Sequence, residues 1–309
     1  MARGWFAWTA LFALAACSAG DVGREAAPRN LILISLDTLR ADRLGAYGYE
    51  RDTSPALDAL AARGARFETV IAESNWTLPS HVTLMSGLPP QIHGVVIPNQ
   101  APSADVPLLA EVLRARGFRT LGLTAGRFLT RRYGFDRGFE EFDDAELSFA
   151  KALAIARKRL VEFDADDRFF VFIHSYDVHC PYDPPKAYAR RFQTRPKADH
   201  VPTRGRCGNP HFNRMALTPG QARFLSDRYD AGIRHADDLL AQFLADLGRR
   251  GRLDDTLVVV VSDHGEEFME HGKVGHRGTL YMQSLRVPWL MAGPACRRSL
   301  STSRSVSRT

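Results

Sequence analysis

Cysteine is scarce in this chain. Four residues in 309 fall far below the density of a disulfide scaffold. The uncharged N-terminal run, residues 4–16, is too short to cross a bilayer as a stable helix. No internal repeat or low-complexity segment stands out, and no Gly-x-Ser-x-Gly element sits at a strand end, which leaves a Ser-His-Asp hydrolase unsupported. Acids are missing from the last stretch, where Arg297, Arg298, Arg304 and Arg308 contribute four of the net +6 charges. The remainder is near balance, so no basic groove for nucleic acid is indicated. What is present, 45% hydrophobic and 25% charged residues, is ordinary globular composition and excludes a disordered or collagen-like chain.

The N-terminus combines Arg3, the apolar run and Leu14-Ala15-Ala16-Cys17. That pattern is a secretory h-region ending in a sequence that resembles a bacterial lipobox, with Cys17 as the lipidated residue. Cleavage after Ala16 without lipid, or an uncleaved anchor, are the alternatives. Residues 1–16 are then a lipoprotein-type signal peptide and 17–29 a linker. Ser18 after the Cys favours the outer membrane, which implies a periplasmic, lipid-anchored protein of the bacterial cell envelope. In that oxidising compartment Cys180 and Cys207, both in a Pro-rich, loop-like region, can pair; two unrelated thiols are the alternative.

Further along, strand-length apolar runs alternate with helical patterns. LILISL (31–36), 118–123, FFVFI (169–173) and LVVVV (257–261) read as buried parallel strands, with 66–71 as a further one. Ser54-Pro55 opens a helix that stops at Gly64, Pro107 opens one that stops at Gly117, and 147–163 is a long helical pattern. Thr218-Pro219 starts the strongest helix, running to Leu247 and closed by Gly251. Residues 176–217 lack periodicity and read as a functional loop. The predicted fold class is α/β, a mostly parallel central sheet with helices on both faces. Ligands then gather beyond the carboxyl ends of the strands.

Those ends carry chemistry. Asp37 follows the first strand, His174, Asp177 and His179 the third, and Asp263-His264-Gly265-Glu266 the fourth. Singly, each has a structural reading as a cap or a satisfied histidine. Together, carboxylates and imidazoles from separate strands make a divalent-metal site of oxygen and nitrogen ligands. Between them lies Trp76-Thr77-Leu78-Pro79-Ser80-His81, with Thr77 just before a Pro-initiated helix whose amide end suits an anion. Thr77 alone reads as a helix cap; its place among metal-type strand ends makes its hydroxyl a reactive candidate.

The set Asp37-Thr38-Leu39-Arg40-Ala41-Asp42, Gly45, Tyr47-Gly48, Thr77-Leu78-Pro79-Ser80-His81, His93-Gly94, Ser262-Asp263-His264-Gly265-Glu266, Gly275-His276 and Arg286-Val287-Pro288 resembles the sulfatase family of the alkaline phosphatase superfamily. The resemblance spans residues 30–293 and implies an alkaline-phosphatase-like fold. It also implies a metal-dependent enzyme cleaving or transferring sulfate or phosphate esters of small molecules, glycans or lipids. By it, Asp37, Thr77, Asp263 and His264 bind the metal, Thr77 fills the nucleophile's slot, and His179 and His276 serve catalysis by contacting the transferred group or bind a second metal, as in transferase and phosphodiesterase relatives. His93 is a further pocket candidate, His271 a weaker one, and His81 and Arg127 are substrate-binding candidates. His264, with His179 and His276, points to Zn or Mn; the oxygen ligands fit Ca or Mg.

This sequence departs from the family at three places. The family's Cys-x-Pro-Ser-Arg appears as Thr77-Leu78-Pro79-Ser80-His81, so no formylglycine can form there. Thr38 stands where a second Asp is usual. The chain ends in a Ser- and Arg-rich tail, residues 294–309, where relatives continue into a smaller C-terminal subdomain that this reading expects to be missing. A threonine has one side-chain oxygen, so a covalent intermediate on it must be resolved by water or an acceptor alcohol. That favours phosphoester or phosphonate-type substrates over the sulfuric ester range. A non-catalytic metal- or anion-binding lipoprotein is the reading from another class.

Overall fold

A computed structural model describes residues 27–194, 199–204, 212–294 and 296. The strands are β1 (Asn30–Leu36), β2 (Ala65–Arg66), β3 (Val70–Ile71), β4 (Phe118–Leu123), β5 (Glu141–Asp143), β6 (Arg168–Ser175), β7 (Thr256–Val261), β8 (Glu267–Phe268), β9 (Val274–Gly275), β10 (Arg286–Val287) and β11 (Trp289–Ala292). Seven of them form one sheet in the order β2-β11-β7-β1-β6-β4-β5. Its five central and lateral strands β7, β1, β6, β4 and β5 run parallel; β11 and β2 add an antiparallel edge.

The continuous apolar runs are the buried strands, as a sheet covered on both faces requires. On one face Ile32, Ile34, Leu36, Val171 and Ile173 join a core with three helices, α1 (Pro55–Arg63), α3 (Phe149–Glu162) and α4 (Pro219–Arg249). On the other, Leu33, Phe170, Phe172, Val259 and Val261 pack under α2 (Thr77–Ser86) through Leu78, Val82 and Met85. Thr218 caps α4 in a box with Gln221. Gly87, at φ +69°, ends α2 in the left-handed conformation that costs glycine nothing.

Several sequence expectations are corrected. Residues 66–71 are not one strand: β2 pairs with β11, β3 with β10 in a separate ribbon. Two-residue pairings carry no alternation to read. The helix expected from Pro107 spans only Leu109–Arg114, and residues 176–217 contain a helix at Lys186–Phe192. Asp177 serves structure: its Oδ1 accepts the Phe149 N–H at the start of α3 and the Ser175 hydroxyl, both at 3.0 Å. Cys180 and Cys296 each take part in a disulfide, in the cores on opposite faces of the sheet; the expected pairing of Cys180 with Cys207 falls on a residue outside the described ones, as do Cys17, the signal region and nearly all of the tail. Among the described residues no helix is long and apolar enough to cross a membrane.

Candidate functional site

Alternation along three adjacent strands builds the site. Leu33, Ser35 and Asp37 share one face of β1 and its exit, because side chains two apart point the same way. Register pairs Ser35 with His174 on β6 and Val261 on β7. His174 therefore continues the Phe170–Phe172 face, and Asp263, two beyond Val261, continues that of β7. All of these lie under the start of α2. There Thr77 and His81, one turn apart, project onto the same face. Polar Ser35 within the apolar LILISL run has its reason here: its hydroxyl meets His81 Nε2 at 2.9 Å.

Asp37 and Asp263 are brought together through the turn after β1. Thr38 sits at φ +62°, a conformation costing a non-glycine residue about 1–2 kcal/mol. In return its N–H reaches Asp263 Oδ1 at 3.3 Å, while its hydroxyl turns back to the Asp37 carbonyl at 2.7 Å and away from the site. Arg40, fully enclosed, holds the two post-strand loops together. It forks onto Asp42 (2.8 and 2.7 Å) and also binds the Glu266 carbonyl (2.8 Å) and Glu270 (2.6 Å).

Thr77 does not cap its helix. The helix begins at Thr77 itself, with Trp76 in the cap position and no side-chain capping bond. The buried hydroxyl instead donates to Asp37 Oδ2 at 3.2 Å. His174 Nε2 meets the same oxygen at 3.2 Å. His264 Nε2 lies 3.3 Å from Asp263 Oδ2 and 3.9 Å from Asp37 Oδ1. Asp37 Oδ1, Asp263 Oδ2 and His264 Nε2, the last within 3.9 Å of both oxygens, are buried and without hydrogen bonds. Native interiors rarely leave such atoms unmatched, and two carboxylates with an imidazole are the donor set of a divalent cation.

Asp37, His81 and Asp263 also present ligand atoms within 4.8 Å of one another. His81, expected among substrate contacts, thus lies inside the acidic cluster. Its Nδ1 is 3.3 Å from Asp263 Oδ2 and 2.9 Å from the Thr77 carbonyl. With Nε2 accepting from Ser35, Nδ1 carries the proton and His81 acts first as a hydrogen-bond donor to its own helix.

Electrostatics follow from burial. Removal from water pushes the Asp37 carboxyl up to about 8 and the Asp263 carboxyl well above its usual range. It pulls His81 and His179 down to about 4, His174 to about 3, and His264 well below ordinary imidazole. All of these imidazoles are neutral at pH 7, so they offer the two carboxylates no counter-charge.

Other expected residues sit around this centre. His179 and His276 are ring neighbours (centroids 5.0 Å), and His276 lies 4.4 Å from the His264 ring. Arg127, exposed after β4, lies over the Tyr176 ring at 5.8 Å. His93 is not brought to the cluster: its ring bridges the Thr83 hydroxyl (3.2 Å) and the Val95 N–H (3.1 Å), bracing the far end of α2. His271 is likewise committed elsewhere, bonded to Glu267 at 2.5 Å and stacked on Tyr281.

Sequence reasoning missed Tyr176 and Arg277, and named Glu266 at its strand end without giving it a role. Glu266 is fully buried and accepts the Tyr182 hydroxyl; burial raises its carboxyl, but the neighbouring His276, His179 and Tyr182 outweigh this and hold it low. Arg277, next to His276, lies over Trp76 at 4.6 Å and Phe128 at 5.2 Å and is the cation whose field reaches Asp37. Its only signal was its position after Gly275-His276.

Comparison with known proteins agrees with this architecture. The sulfatase family model matches residues 29–307. Arylsulfatase A of Homo sapiens is 26% identical over 87% of this chain, which spans 60% of the human protein's length. The phosphonate monoester hydrolase of Agrobacterium radiobacter shares the fold with a TM-score of 0.70 at 21% identity, covering 86% of this chain and 68% of that one. The C-terminal periplasmic domain of EcEptC from Escherichia coli, solved with zinc, gives 0.64 at 19% identity over 88% and 74%. A mostly parallel α/β sheet of alkaline-phosphatase type, the strand-end cluster and the family match agree: the chain belongs to the sulfatase family.

Proposed function

We propose that the protein is an exported, divalent-metal-dependent hydrolase or transferase of phosphate, phosphonate or sulfate esters, with Thr77 as its nucleophile and a leaning towards the phosphorus esters. One observation carries the reading: the Thr77 hydroxyl ignores its helix and is held on Asp37, beside three buried, unmatched ligand atoms from Asp37, Asp263 and His264. Those three residues would hold the ion. When bound, it would supply positive charge that lowers the hydroxyl's pKa and neutralises the non-bridging oxygens; the one nitrogen donor, His264, favours Zn or Mn, and the two carboxylates also suit Mg or Ca.

The chain's own residues do the rest. Asp37 Oδ2 aims the Thr77 oxygen. That oxygen attacks phosphorus as its proton passes to Asp37 Oδ2, the new bond forming while the ester bond to the leaving alcohol breaks, and the leaving oxygen takes a proton from water. His179 directs its Nδ1–H to the Cys180 carbonyl, leaving Nε2 with a lone pair. It can thus draw the proton from the water or acceptor alcohol that then cleaves the threonine ester. Arg277 and Arg127, both at the rim, neutralise the anionic group. Lipid attachment at Cys17 would tether the enzyme to the envelope membrane.

An aryl-ester panel (phosphate, phosphodiester, phosphonate, sulfate), run with metal analysis on one sample, tests this. Turnover of a phosphorus ester above that of the sulfate, with bound metal, is expected. Preference for the sulfate overturns the substrate leaning; stoichiometric metal without any turnover favours the binding-only lipoprotein.

A further inference from the structure

Asp37 divides its two oxygens between different tasks, and something must hold the carboxylate in that rotation. Oδ2 receives Thr77 at 3.2 Å, while Oδ1 is left bare beside His264 and Asp263. A hydroxyl on a freely rotating side chain cannot fix a carboxylate alone.

We propose that His174 is the positioning residue of the site: its Nε2–H, locked in that tautomer by the backbone after β4, pins Asp37 Oδ2 so that Oδ1 faces the cation and Thr77 faces the substrate. The geometry is specific. The Ala125 N–H points at His174 Nδ1 at 3.4 Å, so Nδ1 is the acceptor and the neutral ring carries its proton on Nε2. Nε2 lies 3.2 Å from Asp37 Oδ2.

The ring itself cannot turn. It is fully buried, held edge-on between His81 (centroids 5.0 Å) and Tyr176 (4.6 Å). It also sits on β6 in direct register with Ser35, two residues before Asp37. The His174 ring therefore adds no ligand to the ion: its one proton-bearing nitrogen faces a carboxylate oxygen, and the other faces an amide. Partners of this kind, hydrogen-bonded behind a metal ligand, set its orientation and basicity, and their loss typically weakens metal affinity by roughly 10- to 100-fold. The role rests on the proposed metal site, so one arm of its test does not involve metal.

In the metal-free full chain, long-range proton–nitrogen spectra of the imidazoles should show His174 as the Nε2–H tautomer; an Nδ1–H ring overturns the proposal whatever the protein's activity. In calorimetric titration with Zn²⁺ alone, His174→Leu should lose roughly 10- to 100-fold in affinity. His174→Gln, whose amide nitrogen can stand near the Nε2 position, should keep most of it. Equal affinities for wild type and both variants, or equal losses in both, overturn the claim that this N–H positions Asp37. A wild-type protein that shows the Nε2–H tautomer yet binds no zinc sinks the metal reading instead. Should His174→Leu fail to fold, the tautomer and the Gln variant still decide.

Discussion

Two groups of buried aspartates stand on opposite faces of the sheet, and they are solved in opposite ways. On α4, Asp230 is met by Arg43 at 3.3 Å, Arg51 at 2.6 Å and the Tyr49 hydroxyl at 2.6 Å. Asp237 accepts the Ala56 and Leu57 N–H groups at the start of α1, each at 2.9 Å. Each has donors or cations inside the chain, as a structural carboxylate requires, although burial still raises the Asp230 carboxyl and lifts that of Asp237 to about 7. At the carboxyl edge, Asp37 and Asp263 face each other and neutral imidazoles, with one oxygen of each unbonded. Burial alone does not mark function; burial with the compensation left out does.

The largest break in this comparison is Thr77→Ala. It should lower turnover by about three orders of magnitude or more, with an unchanged circular-dichroism spectrum and metal content; a near-normal rate removes Thr77 from the chemistry. Next come the aspartates themselves. Asp230→Asn should destabilise by about 3 kcal/mol in denaturant titration without altering metal stoichiometry, because Arg43 and Arg51 each lose a buried counter-charge, Arg51 keeping Asp227 at 2.8 Å. Asp263→Asn should do the reverse, abolishing metal binding while stabilising the metal-free protein by on the order of 1 kcal/mol. If both variants behave alike, the two groups are not different in kind.

Titration sharpens the contrast more gently. Folded Asp37 has a pKa near 8 against an ordinary 3.8, so the folded metal-free state binds more protons than the unfolded chain across that range. Its stability must therefore fall as pH rises. The depressed histidines act oppositely, but their effect ends above about pH 6.5, where the unfolded imidazoles are neutral as well. Metal-free protein should thus lose stability between pH 6.5 and 8; saturating metal should remove the share due to Asp37 and leave only that of Asp237, whose carboxyl burial raises to about 7. A flat metal-free profile would mean that Asp37 and Asp263 already have a counter-charge within the chain.

The strands were legible in the sequence because continuous apolar runs such as LILISL and LVVVV have no other comfortable place than a covered parallel sheet. The edge was not, since β2, β3 and β10 are two residues each and β11 is short. At the site, Asp37, Asp263, His264 and Thr77 could be picked out because strand ends and a helix start have fixed places in such folds. The fate of His81 could not be read: its side depends on α2 beginning at Thr77 rather than one residue later, a difference no local pattern encodes. His174, Tyr176 and Arg277 owe their parts to register between β1 and β6 and to the turn after β9, which are properties of pairing rather than of any one segment.

The most direct measurement is anomalous diffraction from crystals grown with Zn²⁺ or Mn²⁺. One ion is expected bonded to Asp37 Oδ1, Asp263 Oδ2 and His264 Nε2, with the Thr77 oxygen within reach of it. An ion bound elsewhere, or a Thr77 oxygen turned away into the core, would contradict the proposed chemistry.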